Sequence, residues 1–245
     1  GVECSHHESD WAEIEPVLGP AATAVGWWPG DAQVQPMLAC YQIARTLAKQ
    51  GASYRFYAPL ASIVDAPSGI TAVLESGERI EAGYLCLCAG VWTNEVLASL
   101  GVDLPVRPRK GQICVLERDS FTVRTKVTDF SYISTVEDAV EGDATVQTAA
   151  VIESTQSGTI LCGSSREFAG FDTGVDTAVL GRILRDCIGL VPALGELRVI
   201  RGYAGLRPHS PDGLPIVGPV TETGRVLVAT GHEGAGHCLA PVTGE

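Results

Sequence analysis

The sequence is short of basic residues and has no long apolar run. Lysine and arginine number 17 against 29 acidic residues, for a formal net charge of −12, and this charge opposes binding to nucleic acid or anionic membrane surfaces. No apolar run approaches the roughly 20 residues that span a bilayer. The first ten residues lack the basic and apolar regions of a secretory signal. We therefore expect a cytoplasmic protein in which any small anionic ligand needs a local cationic site.

No two of the eight cysteines form a CxxC pair. Most lie in apolar runs such as "YLCLCAG" and "QICVLE", which favours buried, reduced thiols over a disulfide framework. Zinc binding by Cys86 and Cys88, or by His232, His237 and Cys238, is not favoured either. A CxC in a strand aims both sulfurs at one packed face, and no second ligand pair has metal spacing. We expect no metal site.

The first half of the chain predicts helices and short strands. The stretch "PMLACYQIARTLAKQG" has an apolar stripe at helical spacing, a proline at its start and a glycine at its end. The runs "SYRFY", "GITAVLES" and "RIEAGYLCLCAG" predict short strands that lead into a buried strand ending at Gly90. A short helix, "VWTNEVLASLG", follows. Strand, glycine and helix thus occur in the order of a Rossmann-type unit.

The segment from Pro105 to Arg207 predicts a sheet with a covering helix. Its β-rich runs are "VRPRKGQICVLER", "TKVTDFSYIST", "TVQTAAVIES" and "GTILCGSS", and its helical pattern is "VDTAVLGRILRDCIGLVP". The acidic stretch 137–144 has no apolar period and predicts an exposed hairpin tip or insertion. Because 45% of the residues are apolar, the chain can form a packed globule, and we expect an α/β fold with a mixed sheet.

Near the C-terminus the strand "RVLVAT" runs into the glycine-rich stretch "GHEGAGH". Glycines here let backbone N–H groups approach a ligand, and the helix predicted from "HCLAPVTG" adds its N-terminal dipole. An ordinary tight strand-to-helix turn is the alternative. A dinucleotide-binding fingerprint is excluded as a further alternative. Only nine residues follow Gly236, which is too few for a βαβ unit of about 30 residues. No GxGxxG pattern occurs elsewhere.

One arginine, Arg207 in "GLRPHSPDG", is flanked by glycine and proline and is followed by the turn signal "SPDG". A guanidinium held on such a backbone suits a carboxylate, which it can bind through two parallel hydrogen bonds. A structural salt bridge, for example to Asp212, is the alternative.

Several motifs together resemble the D-amino-acid oxidase family of FAD-dependent oxidoreductases. The stretches "GLRPHSPDGLPIVG", "VLVATGHEGAG" and "LAPVTGE" are similar to the family's C-terminal signature. Upstream, "AEIEPVLGP", "CLCAGVWTNEV", "RPRKGQI" and "LCGSSREFAGFD" are similar to other family segments in the same order. Within the family, the sequence most resembles the branch of glycine oxidase, opine dehydrogenase and hydrogen cyanide synthase.

The resemblance implies roles for individual residues. Arg207 falls on the arginine that binds the substrate carboxylate, and Tyr132 resembles a tyrosine that lines the substrate cavity, with an ordinary strand aromatic as the alternative. Leu60 falls on a position whose backbone contacts the adenine, and Gly90 is predicted to bind the cofactor. Trp92 is expected to pack. The loop implied to contact the flavin consists of Gly231, His232, Glu233, Gly234, Ala235, Gly236, His237 and Cys238.

The resemblance also implies an activity: oxidation of the C–N bond of a small amino acid, imino acid or opine by hydride transfer to FAD. The cysteine that tethers flavin in sarcosine-oxidase relatives has no counterpart in "GLRPHSPDG", so the FAD is expected to be non-covalent. No catalytic base is assigned. A small carboxylate-bearing amine is the expected substrate, and partner subunits of a dehydrogenase complex are a further expectation. The alternative is a non-catalytic, flavin-less subunit or interaction module that keeps the substrate domain.

Two interleaved domains are implied. Residues 30–104 and 205–245 are predicted to form a Rossmann-like FAD-binding domain that lacks its first βαβ unit. Residues 1–29 and 105–204 are predicted to form a substrate-binding domain with a mixed β-sheet. The sequence is accordingly expected to be a fragment, inactive alone, without the unit that supplies most pyrophosphate contacts.

Overall fold

A computed structural model describes residues 3–117, 121–133 and 145–245. The predicted acidic hairpin tip at 137–144 lies outside these residues. The chain divides into two compact units, which are described separately below. The first contains residues 1–35 and 110–205, and the second contains residues 36–109 and 206–245. Within the described residues, the mixed α/β fold class is confirmed.

In chain order the strands are β1 (Ser5–His7), β2 (Val25–Trp27), β3 (Leu60–Ala66), β4 (Gly69–Leu74), β5 (Arg79–Ala82), β6 (Leu85–Leu87), β7 (Arg107–Leu116), β8 (Val127–Thr128), β9 (Gln147–Ser154), β10 (Ile160–Arg166), β11 (Val199–His209), β12 (Ile216–Pro219) and β13 (Val226–Thr230). The α-helices are α1 (Pro36–Lys49), α2 (Thr93–Leu97), α3 (Thr177–Leu190) and α4 (Gly236–Thr243).

The first unit is built on a five-stranded sheet in the order β11-β7-β10-β9-β8. Helix α3 covers one face of this sheet, as its apolar spacing predicts. The helix begins after Asp176, whose Oδ1 accepts the N–H of Ala178 at 2.8 Å, a hydrogen bond typical of an N-cap. One side of the helix packs into the core of the unit through Val179, Leu180, Ile183 and Cys187.

The second unit contains two three-stranded sheets. Strands β3, β4 and β5 form an antiparallel meander. In the other sheet the order is β12-β13-β6, with β13 antiparallel to β12 and parallel to β6. The core between them contains Ile63, Ile70, Leu87, Leu97, Val226 and Val228. Parallel pairing of β6 and β13 places their carboxyl ends at one edge, where α/β sheets bind ligands.

Helix α1 has the bounds that the sequence predicts, but its apolar stripe is not buried in the described structure. Met37 is 75% exposed and Tyr41 is 57% exposed. A contact to the helix comes from Tyr54, whose hydroxyl donates to the carbonyl of Ala44 at 3.1 Å. The helical period therefore predicted the secondary structure and not the burial.

Three predictions from apolar runs are wrong. The run "SYRFY" forms no strand, because Tyr57 has φ of +55°, which breaks an extended chain. In "TKVTDFSYIST" the strand β8 has only two residues, and Tyr132 lies beyond it in a helical segment that includes residues 131–133. The cysteines are not mostly buried, since five of the eight are exposed. Among the exposed five are Cys86 and Cys88, whose sulfurs share a face, 3.7 Å apart.

A network in the first unit joins Lys110 to two carboxylates. The Lys110 ammonium is 2.6 Å from Asp172 Oδ2 and 3.7 Å from Glu167 Oε1. Burial alone would lower the pKa of Lys110, but the two carboxylates outweigh it and the net shift is upward. The hydrogen bond from Lys110, followed by the one from the Gly174 N–H, lowers the pKa of Asp172.

We expect the stability contribution of Asp172 to depend on pH. Because its folded-state pKa lies below the ordinary 3.8, the contribution is present above that value and disappears as the pH falls through the folded pKa. Asp172→Asn should therefore lower the urea midpoint at pH 7, and the difference from wild type should disappear as the pH falls below 3.8 and through the folded-state pKa. Asp31→Asn, on an exposed side chain of the same unit, is the control. A difference that persists unchanged in acid would contradict the charged contact.

Candidate functional site

The parallel strands β6 and β13 bring the two predicted glycine segments together. Strand β6 leads to Gly90 and strand β13 leads to Gly231, at the same edge of the sheet. The Thr230 hydroxyl donates to the Gly90 carbonyl at 3.0 Å, and the Thr93 hydroxyl donates to it at 2.7 Å. The predicted cofactor-binding segments are thus joined by hydrogen bonds within the second unit.

The conformations of these glycines fit a ligand that lies against the backbone. Gly90 has φ of +56°, and a Cβ added to it would meet no atom within 4 Å. A Cβ on Gly234 would also project into open space. Gly231 differs: its φ is +77°, and a Cβ there would lie 3.4 Å from the backbone of Leu214 and Ile216. Gly90 and Gly234 therefore leave room for a flat ring, while Gly231 makes the tight turn.

The loop from Gly231 to Cys238 ends in the first turn of α4. The N–H groups of Gly236, His237 and Cys238 belong to this turn, where no carbonyl of the helix can accept them. They can donate to an electron-rich carbonyl at the positive end of the helix dipole. The ring of His232 makes a hydrogen bond within the protein: its Nε2 lies 3.0 Å from the Thr243 hydroxyl at the far end of α4.

A buried ion pair fixes the middle of this loop, and the sequence analysis did not find it. Arg109 is 2% exposed, and its Nη1 lies 3.4 Å from Oε1 of Glu233. Glu233 has φ of +45°, and its other carboxylate oxygen accepts the N–H of Gly234 at 2.9 Å. The partners lie 124 residues apart. In the sequence, Arg109 stands in "RPRKGQICV" beside Arg107 and Lys110, and no local pattern distinguishes it from them.

Arg207 lies in strand β11 and not in a loop. The predicted turn after it forms, with the Gly213 N–H donating to the Ser210 carbonyl at 3.0 Å. Oδ1 of Asp212 accepts the N–H of Leu214 at 3.0 Å, which fixes that turn. The residue after Arg207, Pro208, accepts the N–H of Glu233 at 3.0 Å. The backbone that carries Arg207 is thereby hydrogen-bonded to the predicted flavin loop.

Leu60 begins strand β3 and lines a cleft of about 570 Å³ in the second unit. The other residues of this cleft are Pro59, Ala61, Glu75, Trp92, Glu95 and Val96. Trp92 is 51% exposed, and the expectation that it packs stays a prediction. Leu60 thus lies beside a flat aromatic side chain that an adenine could stack against.

Tyr132 belongs to the first unit and lies at the start of a helical segment that Asp129 caps. The N–H of Tyr132 donates to the Asp129 carbonyl at 3.0 Å, and Oδ1 of Asp129 accepts the N–H of Ser131 at 2.6 Å. The guanidinium carbon of Arg166 lies 4.5 Å from the centre of the Tyr132 ring. Arg166 is another buried basic residue that the sequence analysis did not single out.

Within residues 3–117, 121–133 and 145–245, no group of three or more His, Cys, Asp or Glu side chains is arranged to hold a metal ion. No helix in this described part of the chain is both long enough and apolar enough to cross a bilayer.

A model of the family described as FAD-dependent oxidoreductases matches residues 3–245. The chain belongs to this family. A glycine oxidase from Pseudomonas putida is 30% identical over 230 residues, which cover 93% of this chain and 58% of that protein. The hydrogen cyanide synthase subunit HcnC from Pseudomonas protegens is 31% identical over 189 residues, which cover 72% of this chain and 41% of that protein. The chain therefore matches 58% of the length of the first relative and 41% of the length of the second.

The fold is also that of solved family members. The crystal structure of glycine oxidase from Geobacillus kaustophilus superposes with a TM-score of 0.84 at 25% identity, over all of this chain and 61% of that one. The cofactor of this family is FAD, and the open backbone at Gly90 and Gly234 fits that assignment.

Proposed function

We propose that the protein oxidises the C–N bond of a small amino acid, imino acid or opine. The observation that carries the proposal is the hydrogen-bonded frame of the second unit. In it the backbone of Arg207, the loop from Gly231 to Cys238 and the carbonyl of Gly90 are connected. The name of the Pseudomonas putida relative, glycine oxidase, supports an amino-acid substrate.

Arg207 would bind the substrate carboxylate. The residue is half-buried, and the carbonyl of Pro208 fixes its backbone by accepting the Glu233 N–H. A planar guanidinium that grips a carboxylate at two points fixes the rotation of the substrate as well as its position. In a reaction limited by orientation, this positioning contributes to catalysis.

The loop and the neighbouring backbone would hold the cofactor. Gly90 and Gly234 would face the ring system, the first turn of α4 would donate to its carbonyl oxygen, and Leu60 would contact the adenine. FAD, when bound, accepts the hydride from the carbon that carries the amine. The protein needs to bind the amine in its neutral form and orient it, and we assign no side chain as a base.

Partner subunits are the remaining part of the proposal. HcnC is by name a subunit of a synthase, which supports partner subunits for this chain as well. Oxygen consumption and dye reduction, measured side by side on the purified protein, would distinguish an oxidase from a dehydrogenase.

We expect the complete protein that carries this chain to bind FAD in a 1:1 ratio and without a covalent bond. After acid denaturation the yellow colour should stay in the supernatant, because no cysteine follows Arg207 in the turn "PHSPDG". Absorbance of both fractions at flavin wavelengths is the measurement. Colour in the pellet would contradict non-covalent binding, and a protein that takes up no FAD would favour the flavin-less alternative.

A further inference from the structure

Cys86 and Cys88 form a pair of exposed thiols on one sheet of the second unit. Cys86 lies in strand β6, and Cys88 follows the last residue of that strand, Leu87. Both cysteines are exposed, and their sulfurs lie 3.7 Å apart. At this distance the two sulfurs share a hydrogen bond, for which either thiol can be the donor. The two side chains therefore form one dithiol.

The register of the sheet explains why this dithiol is exposed. Leu87 pairs with Val228 of β13, and both side chains belong to the core of the unit. Successive residues of a strand point to opposite faces, so Cys86 points away from that core. The contact between the sulfurs places Cys88 on the same side. Oxidants that reach this face of the sheet therefore meet both thiols together.

The two sulfurs have different roles in the contact. Partial burial, followed by the contact with Cys86, raises the pKa of the Cys88 thiol. Cys88 thus keeps its proton at neutral pH and is the donor of the shared hydrogen bond. We assign the acceptor, Cys86, as the sulfur that attacks an oxidant, and Cys88 as the thiol that then closes the disulfide.

The dithiol can close with a small movement at the end of the strand. A disulfide needs sulfurs about 2.05 Å apart and Cα atoms within about 6.8 Å of each other. Residues two apart in a strand have Cα atoms about 6.6 Å apart, near the upper end of that range. The pairing of β6 with β13 stops at Leu87, so Cys88 is outside the ladder and can move toward Cys86.

This movement would reach the predicted cofactor segment. Gly90 follows Cys88 by two residues, and its carbonyl accepts the hydroxyls of Thr93 at 2.7 Å and Thr230 at 3.0 Å. Hydrogen bonds weaken steeply when their distance or angle departs from the preferred range. A shift of the backbone at Cys88 therefore disturbs the two contacts that hold the Gly90 carbonyl in place.

We propose that Cys86 and Cys88 are a modification site at which hydrogen peroxide closes a reversible disulfide, and that this disulfide weakens FAD binding at Gly90. The inference rests on the proposed function, in which Gly90 faces the cofactor. Peroxide is also the product that such an enzyme releases when oxygen takes up the electrons of the reduced flavin.

The reaction consumes one peroxide for each disulfide. The Cys86 sulfur gives up its proton and attacks one peroxide oxygen, the O–O bond breaks, and hydroxide leaves and is protonated to water. The Cys88 sulfur then displaces the hydroxyl group of the resulting sulfenic acid, which leaves as a second water with the Cys88 proton. The two thiols lose two electrons, and these reduce the peroxide to two waters.

Peroxide treatment of the complete protein tests the modification directly. After treatment the remaining thiols are blocked, and the protein is digested with trypsin. The fragment 80–109 contains both thiols and no other cysteine, and it should appear unblocked and lighter by two hydrogen atoms. Dithiothreitol should restore both thiols. Cys86→Ser and Cys88→Ser should form no such disulfide, whereas Cys40→Ser, at another exposed cysteine of the unit, should behave like wild type.

The second readout is the affinity for FAD. Apoprotein, reduced or oxidised, is titrated with FAD and followed by flavin fluorescence. Oxidation should raise the Kd of wild type about threefold to tenfold, as for the loss of one ordinary hydrogen bond, and dithiothreitol should reverse the rise. The Kd of Cys86→Ser should respond to neither reagent.

The outcomes distinguish the parts of the proposal. A wild-type fragment that keeps both thiols free, or that gains oxygen instead of losing hydrogen, overturns the modification site whether or not the variants fold. A disulfide that forms without changing the Kd for FAD overturns its effect on Gly90. A complete protein that takes up no FAD, but still forms the disulfide, refutes the proposed function and leaves the modification site intact.

Discussion

Replacement of Arg207 by alanine should lower kcat/KM for a carboxylate-bearing amine about tenfold to a hundredfold, since loss of a charge-assisted hydrogen-bonded pair costs roughly 1.5–3 kcal/mol. Arg207→Lys should also lower kcat/KM, because an ammonium cannot reproduce the planar two-point grip. Its loss should be smaller than that of Arg207→Ala, because lysine keeps the positive charge. The flavin spectrum and the melting temperature should change little. Steady-state kinetics on the complete protein give the ratio of kcat/KM between wild type and each variant.

The control for Arg207 is a substrate without the carboxylate. An amino acid and its decarboxylated amine are compared in wild type and in Arg207→Ala, with Arg79→Ala as a variant at an exposed arginine of the same unit. If Arg207 binds the carboxylate, only the amino acid is penalised. An equal penalty on both compounds, or a fall in stability with unchanged selectivity, would assign Arg207 a structural role instead.

The parts of the fold that were predictable from sequence are those fixed by local rules. Helix α3 has a capping aspartate at Asp176 and an apolar face at 3.6-residue spacing, and it forms as predicted. The turn at 210–213 follows from its proline, aspartate and glycine. The run at 53–57 did not form a strand, because Tyr57 has φ of +55°, which breaks an extended chain.

The candidate site was predictable where it depends on chain order. Gly90 and Gly231 each follow a buried strand, and parallel pairing of those strands brings them to one edge. The buried cations Arg109 and Arg166 were not identified as site residues, because their partners Glu233 and Tyr132 lie far away in the sequence. Nothing in a local pattern specifies such a contact.

Replacement of Glu233 by alanine should weaken FAD binding and destabilise the second unit. The carboxylate bonds Arg109 and the Gly234 N–H at once, and it holds a non-glycine residue at φ of +45°. Loss of a hydrogen bond to a charged group costs roughly 1.5–3 kcal/mol. If the loop is ordered mainly by this carboxylate, the loss appears in FAD affinity as a rise in Kd of about tenfold to a hundredfold.

Glu233→Gln distinguishes the effect of the negative charge from that of the hydrogen bond. The glutamine amide oxygen can still accept the Gly234 N–H, but the neutral side chain cannot neutralise Arg109. Its effect on FAD affinity should lie between those of wild type and Glu233→Ala. Glu222→Ala, an exposed residue of the same unit, controls for the loss of one negative charge from an acidic protein. Titration of apoprotein with FAD, followed by flavin fluorescence, gives the three Kd values. Equal Kd values in Glu233→Ala and Glu222→Ala would show that the loop binds FAD without the Arg109–Glu233 pair, and the flavin contacts would then have to come from backbone held by Pro208 and Thr230 alone.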